Sequence, residues 1–355
     1  MNAELAFRQS LRVVCTLLAA FIAAIFCVTL RTPLPWMIGP LLITAALSTF
    51  GMKTLSWNPL RNMAQWTIGT ALGLYFTSQV SAMVAGLWWV VVVSIFWSFA
   101  LGYLYGIWLY WFNAPRFPNL DRATTFFASL IGAAPEMTLL AERQKARTDL
   151  VASAHSLRIL IVAVTVPFAV QWSGWHGLDV APPQLHQVNG IGLLELALIT
   201  GLGAGAMKLL GQSNPWFIGS LAVSITLTTC EIMLSSIPTW LTNGAQLVIG
   251  VSLGVRFSSD FMRTAPRWLA SVAFGTFFMI SISALASIAL SELTQLPLAT
   301  MILATAPGGI AEMAITAKVL QLGVAVVTAL QACRVIAVLL LAEPFYHWIK
   351  RKGLI

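Results

Sequence analysis

Charge is scarce in this chain: Lys, Arg, Asp and Glu make up 9% of its 355 residues, whereas 58% are hydrophobic. That balance excludes a soluble domain of this length, whose water-facing surface needs more polar side chains than these. Cysteine is sparse too. Cys15, Cys27, Cys230 and Cys333 lie in or beside apolar stretches with no CxxC spacing, which excludes a disulfide framework or zinc motif and leaves them as packing residues. The four histidines, His155, His176, His186 and His347, are scattered, and only His176 and His186 share an expected loop, so an oxygenase metal centre lacks its ligand set. A Walker-type phosphate loop is missing, which argues against ATP-driven pumping by this chain alone. The formal charge of +8 comes with no basic soluble module to touch nucleic acid. No metal, cofactor or enzyme activity is expected.

What the chain has instead is apolar length. Its mean hydropathy is +0.84, and uncharged runs of roughly 20 residues, enough to cross a bilayer as a helix, recur from Val13 to Trp348. Lys and Arg fall in short clusters between them, as cytoplasmic loops do. Arg8 and Arg12 place the amino terminus inside, and the run from Val13 to Leu30 reads as a retained span, without a cleavage site. Further spans are expected at 35–50, 62–80, 83–112 and 150–170, then at 191–210, 214–233, 244–262, 267–291 and 322–348. The cations at Lys53, Arg61, Arg116, Arg122, Lys208, Arg256, Arg263 and Arg267 then lie inside, as do Lys350, Arg351 and Lys352.

Three pairs of segments recur in the same order. Pro35-Trp36-Met37-Ile38-Gly39 matches Pro215-Trp216-Phe217-Ile218-Gly219, an offset of 180; AQWTIGTALGLYFTSQ from Ala64 matches AQLVIGVSLGVRFSSD from Ala245, pairing Gln65 with Gln246 at an offset of 181; Glu136-Met137 matches Glu312-Met313, an offset of 176 that also pairs Arg158 with Arg334. Polar positions held at nearly constant spacing through apolar sequence point to duplication. The expected organisation is a first membrane repeat over 1–170, an external loop without Lys or Arg over 171–189, and a second repeat over 190–355. The fold expected is all-α: about ten membrane helices in two five-span repeats. Five is odd, so the copies face opposite ways, the inverted plan of secondary transporters. Each carries a re-entrant or broken hairpin, at about 123–146 and 296–318.

The hairpins hold the candidate site. In the second, Pro307 removes a donor while Gly308 and Gly309 permit unusual dihedrals and close approach; backbone freed at membrane depth must be satisfied by protein or a polar cavity. Glu136 and Glu312 follow the two breaks in apolar surroundings, where a carboxylate costs roughly 3 kcal/mol and marks a candidate for ion, proton or substrate binding. Arg158 and Arg334 lie inside spans, placed either to hold an anionic solute or to pair with the hairpin glutamates as internal struts. Gln65 and Gln246 suit a polar cavity or interhelical hydrogen bonds. His155, alone on its span, reads as a hydrogen-bonded packing residue. The two Pro-Trp pairs read as helix starts at the membrane interface.

The paired P-W-x-I-G segments and the A-P-G-G-I-A-E-M hairpin resemble the AbrB family of bacterial membrane proteins, whose members share an internal duplication and are often labelled regulators or ammonia monooxygenases. The resemblance runs over nearly the whole chain and implies a polytopic protein of the bacterial inner membrane. The first repeat departs from the motif, with Ile131-Gly132-Ala133 where the second has Pro307-Gly308-Gly309, and its proline is displaced to Pro135. Secondary transport of a small polar or anionic solute is the leading expectation, with ion or proton coupling open. A membrane regulator acting indirectly on gene expression is the alternative, and a membrane monooxygenase stands third. The partners expected are the lipid bilayer and a small solute or ion, with no nucleic acid; self-association stays open. Both termini are expected in the cytoplasm.

Overall fold

A computed structural model of the chain describes residues 2–352 apart from 116, 118, 119, 176–187, 213 and 258–265. Arg116, Arg263, His176, His186 and most of the expected external loop therefore lie outside the described residues. The described secondary structure is helical: α1 Asn2–Thr29, α2 Pro35–Thr49, α3 Asn58–Gly73, α4 Ser78–Gly86, α5 Trp88–Asn113, α6 Arg122–Ser129, α7 Ala134–Arg143 and α8 Thr148–Ser173 in the first half. The second half has α9 Gly190–Leu209, α10 Pro215–Thr229, α11 Thr239–Gly254, α12 Pro266–Thr294, α13 Leu298–Thr305, α14 Ile310–Val319 and α15 Val324–Arg351.

Six of these helices are long and apolar enough to cross a membrane: residues 9–29 of α1, together with α5, α8, α9, α12 and α15. A seventh arises if α3 and α4 count as one span, but they meet at 88°. The straight span expected at 62–80 is therefore bent after Gly73. α2 and α10 have 15 residues each, about 22 Å of helix, short of a roughly 30 Å hydrocarbon layer. The apolar helices make this a membrane protein.

Local geometry recurs at the offsets found in the sequence. Left-handed backbone occurs at Arg31 and Gly211, at Leu34 and Asn214, and at Gly51 and Glu231, each pair 180 residues apart, and at Lys145 and Gln321, 176 apart. The left-handed residues at 34 and 214 each feed a Pro-Trp helix start, where the proline's missing N–H costs nothing because first-turn donors lack intrahelical partners anyway.

The chain forms two compact units, and each draws on both halves of the sequence. The first takes residues 1–85, 179–262 and 314–325. Within it each Pro-Trp helix crosses the glutamine-bearing helix of the other half. A Cβ on Gly250 of α11 would stand 2.5 Å from the Met37 carbonyl oxygen of α2, and one on Gly69 of α3 would overlap the Phe217 carbonyl oxygen and Ser220 Oγ of α10. One turn on, Gly254 meets Leu41 and Thr44, and Gly73 meets Ser224. The exchange extends to hydrogen bonds: Thr49 Oγ1 donates to the Phe257 carbonyl at 3.2 Å and Thr229 Oγ1 to the Phe76 carbonyl at 3.1 Å. Small residues bring backbones together because lipid-embedded helices associate through close packing rather than water exclusion. α1 and α9 lie outside this crossing with large apolar side chains exposed, among them Phe21, Ile22, Leu198 and Leu202.

The second unit takes residues 86–178, 263–313 and 326–355. α5 and α12 pack through Gly275, whose missing side chain makes room for the Tyr105 ring. Trp268 Nε1 donates to the Leu150 carbonyl at 3.2 Å, joining α12 to α8. The breaks of both hairpins lie in this unit.

Candidate functional site

Each hairpin is a helix broken at equivalent places. α6 starts on Asp121, whose carboxylate accepts from Thr124 N at 2.8 Å, and ends at Leu130, where the backbone becomes extended (ψ 142°). α13 ends the same way at Ala306 (ψ 141°). α7 and α14 then begin at Ala134 and Ile310. An α-helix cut off inside protein leaves its last carbonyls without donors and its first N–H groups without acceptors. The chain meets the first deficit with an arginine on the following span.

Arg158 on α8 reaches the end of α6. Its Nη1 donates to the Ser129 carbonyl at 3.1 Å and, more weakly, to that of Ala128; its Nη2 donates to the Leu130 carbonyl at 2.8 Å and to His155 Nδ1 at 2.8 Å. Because Nδ1 accepts, His155 carries its hydrogen on Nε2, which reaches the Phe127 carbonyl at 2.9 Å. Arg334 on α15 repeats this at the end of α13. Its Nη1 donates to the Ala306 carbonyl at 2.8 Å and its Nη2 to the Gly308 carbonyl at 2.8 Å and to Gln331 Oε1 at 2.6 Å. Gln331 Nε2 then donates to the Leu303 carbonyl at 2.7 Å. His155 and Gln331 stand 176 residues apart, as do Phe127 and Leu303 and also Leu130 and Ala306, so the clasp recurs at these positions; the arginines' other carbonyls differ, Ala128 and Ser129 for Arg158 but Gly308 for Arg334. A cation at a helix carboxyl end also opposes the partial negative charge gathered there.

The ion-pair strut expected between these arginines and the hairpin glutamates does not form. All the Nη bonds of Arg158 and Arg334 go to carbonyls and to the side chain three residues earlier, while their buried Nε atoms have no hydrogen-bond partner. His155 is hydrogen-bonded packing, as expected, but its partner is the arginine and its counterpart Gln331 carried no motif to single it out. The 176-residue offset that pairs Arg158 with Arg334 was the signal that would have found it.

Glu136 and Glu312 both occupy the third position of the helix that follows a break, where a carboxylate opposes the positive helix end. Glu312 is 8% exposed, and its Oε2 folds back into the space a Gly309 side chain would fill. Glu136 is less covered, but its Oε2 is buried and has no hydrogen-bond partner. Gly308 packs against Val162 of α8 and Met313, so the second break rests on the first half's span. Unit two thus holds Glu136, Glu312, Arg158, Arg334, Pro307, Gly308 and Gly309, whereas Gln65 and Gln246 belong to unit one. Neither glutamine makes a hydrogen bond to a described residue, so the interhelical bonds expected of them are absent among the described residues.

Gly309→Ala would drive a methyl group into the Glu312 carboxylate, the mobile end of a side chain. The carboxylate is expected to swing away with a stability change of about 1 kcal/mol or less, detectable as a nearly unchanged melting temperature in detergent.

The family model for "Transition state regulatory protein AbrB" matches residues 36–350. The chain is similar to "Uncharacterized protein YhjN" of Bacillus subtilis, 27% identical over 88% of this chain and 86% of the relative. It is also similar to "Putative regulator AbrB" of Escherichia coli, 23% identical over 89% of this chain and 90% of the relative. No solved structure matches. The paired Pro-Trp starts, the clasped hairpins and the match across most of its length agree: the chain belongs to the AbrB family.

Proposed function

We propose that this protein is a secondary transporter that carries a small polar or anionic solute by alternating access, through the two broken hairpins of its second unit. The observation that carries this reading is the duplicated clasp. Arg158 and Arg334 hold the carboxyl ends of the first half-helices, so in this reading the ligand meets the amino ends of α7 and α14, the turns that carry Glu136 and Glu312. Interrupted helices at membrane depth are the usual construction of transporter sites, and half-helix amino ends favour anionic or polar groups. The arginines act as positioning residues.

The recurrence of the same elements in both halves supports ten membrane passages in two five-span repeats of opposite orientation, with α2, α10, α11 and the bent α3 counted as short or broken passages. Cation placement supports an inner-membrane protein with both termini cytoplasmic. Glu136 Oε2, buried without a donor, suits a group that takes up a proton or cation during the cycle, because a buried carboxylate without a partner is costly. A second reading, a membrane regulator that changes expression through the level of its solute, is favoured by the name "Putative regulator AbrB" of the Escherichia coli relative.

Reconstituted vesicles distinguish the two. Counterflow of a labelled solute from a panel of organic anions, amines and neutral metabolites is expected in vesicles holding the protein. It is expected to fall at least about tenfold in Glu312→Gln, the scale expected for losing one ionic contact of about 1.5–3 kcal/mol. A panel that shows no flux above empty vesicles, with folded protein in the membrane, overturns the transport reading.

A further inference from the structure

A groove between α5 and α6 lies apart from the hairpin breaks and from both clasps. One wall is a single helical stripe on α5, Tyr103, Gly106 and Tyr110; the other is Arg122 and Thr125 on α6, and together they enclose a cavity of about 310 Å³. Gly106 sets how closely the walls meet, since a side chain there would run into Ser129 Oγ at 2.7 Å. The Arg122 guanidinium lies over the Tyr110 ring, 5.1 Å from its centroid. Arg122 has no carboxylate partner among the described residues. Its neighbour Asp121 is engaged in capping α6 through Thr124 N.

Where this groove sits determines what it can hold. α5 is an apolar span that ends at Asn113, so Tyr110 and Arg122 stand at the level where a span meets lipid headgroups. Tyr103, seven residues earlier, lies about 10 Å deeper. Trp111 beside the groove is 75% exposed and Leu104 63%, so the cavity opens onto the surface that faces lipid. Tyr and Trp at a span end mark the membrane interface, and a basic pocket between membrane helices suits an anionic headgroup. A soluble anion would gain nothing from the aromatic wall below the cation.

We propose that this groove binds one anionic phospholipid, its phosphate against Arg122 and an acyl chain running down past Tyr103. The Tyr110 ring, 5.1 Å from the guanidinium, restrains the cation at the mouth of the groove, where its donors can meet the headgroup. The lipid fills the space between α5 and the first half-helix of the first hairpin, so its occupancy would also steady that half-helix.

The full-length protein in nanodiscs of mixed phosphatidylglycerol and phosphatidylcholine, released into native mass spectrometry, tests this. The wild type is expected to retain one phosphatidylglycerol in preference to phosphatidylcholine. Arg122→Gln is expected to weaken that retention about tenfold, the loss of one charge-assisted contact. Arg143→Gln, which removes an exposed cation of the same unit paired to Glu343 at 3.7 Å, leaves retention unchanged. Arg122→Lys keeps the charge and guards against a folding defect; it is expected to keep the preference for the anionic lipid. Equal retention of the two lipids, equal loss in Arg122→Gln and Arg143→Gln, loss in Arg122→Lys as well, or displacement by millimolar inorganic phosphate would each overturn the proposal.

Discussion

Arg334→Leu is expected to lower the unfolding free energy by about 3–5 kcal/mol, measured as the shift in thermal or denaturant unfolding of the purified protein. The guanidinium donates to the Ala306 and Gly308 carbonyls and to Gln331 Oε1 from a position only 1% exposed. Removing it leaves the Gly308 carbonyl and Gln331 Oε1 without this donor, at about 1–3 kcal/mol apiece before neighbouring groups relax, and leaves the Ala306 carbonyl with only the longer 3.2 Å bond from Gln331 Nε2. Arg334→Lys is expected to recover little, because one ammonium cannot span three acceptors that a planar fork reaches together. Gln331→Leu, which removes one arm of the clasp, is expected to cost about 1–3 kcal/mol. Gln331→His is expected to recover most of that loss. His155 already performs this role in the first half, accepting from Arg158 and reaching the Phe127 carbonyl. A histidine variant as unstable as the leucine variant would show that the two clasps are not equivalent in strength, however alike their bonds.

This clasp also marks where sequence reasoning stopped. Helix positions were legible because Pro-Trp starts, glycine breaks and charge clusters punctuate the chain locally: a helix, α2, lies over 35–49, α9 over 190–209, and α13 and α14 fall within 296–319 with a break between them. The break at 306–309, between α13 and α14, was legible for the same reason. The role of the arginines was not. An arginine in an apolar span, in a chain where a glutamate follows each break, looks like half of an ion pair. Its actual partners are carbonyls 26–30 residues away, and backbone acceptors carry no side-chain signature. Only the geometry shows that each guanidinium points at the carboxyl end of the first half-helix rather than at the amino end of the second. The 88° turn between α3 and α4 was hidden differently: apolar sequence continues through Gly73 to Gly86, so hydropathy cannot locate the bend. Length misled as well, since α2 and α10 carry every sign of a span except enough residues to be one.

Gly69→Ala and Gly250→Ala are each expected to destabilise the protein by about 1–3 kcal/mol, the usual cost of forcing a methyl group into a packed contact, and by similar amounts. Each glycine lies where its helix meets a Pro-Trp helix from the other half of the chain, and the positions they press against, 220 and 40, are equivalent at the 180-residue offset. The two crossings differ in one testable respect. At Gly69 part of the obstruction is the Ser220 hydroxyl, while at Gly250 the nearest atom is the Met37 carbonyl oxygen. Ser220→Gly is therefore expected to restore part of the loss in Gly69→Ala and none of that in Gly250→Ala. In a double-mutant cycle the first pair should couple by about 0.5–1 kcal/mol and the second should be additive. Unfolding in detergent measures all of these variants on one scale. Very unequal losses from the two alanine variants would mean that the two halves do not pack on each other reciprocally. Equal losses, with rescue at the Ser220 crossing alone, would show that the duplication found in the sequence still governs how the first unit is held together.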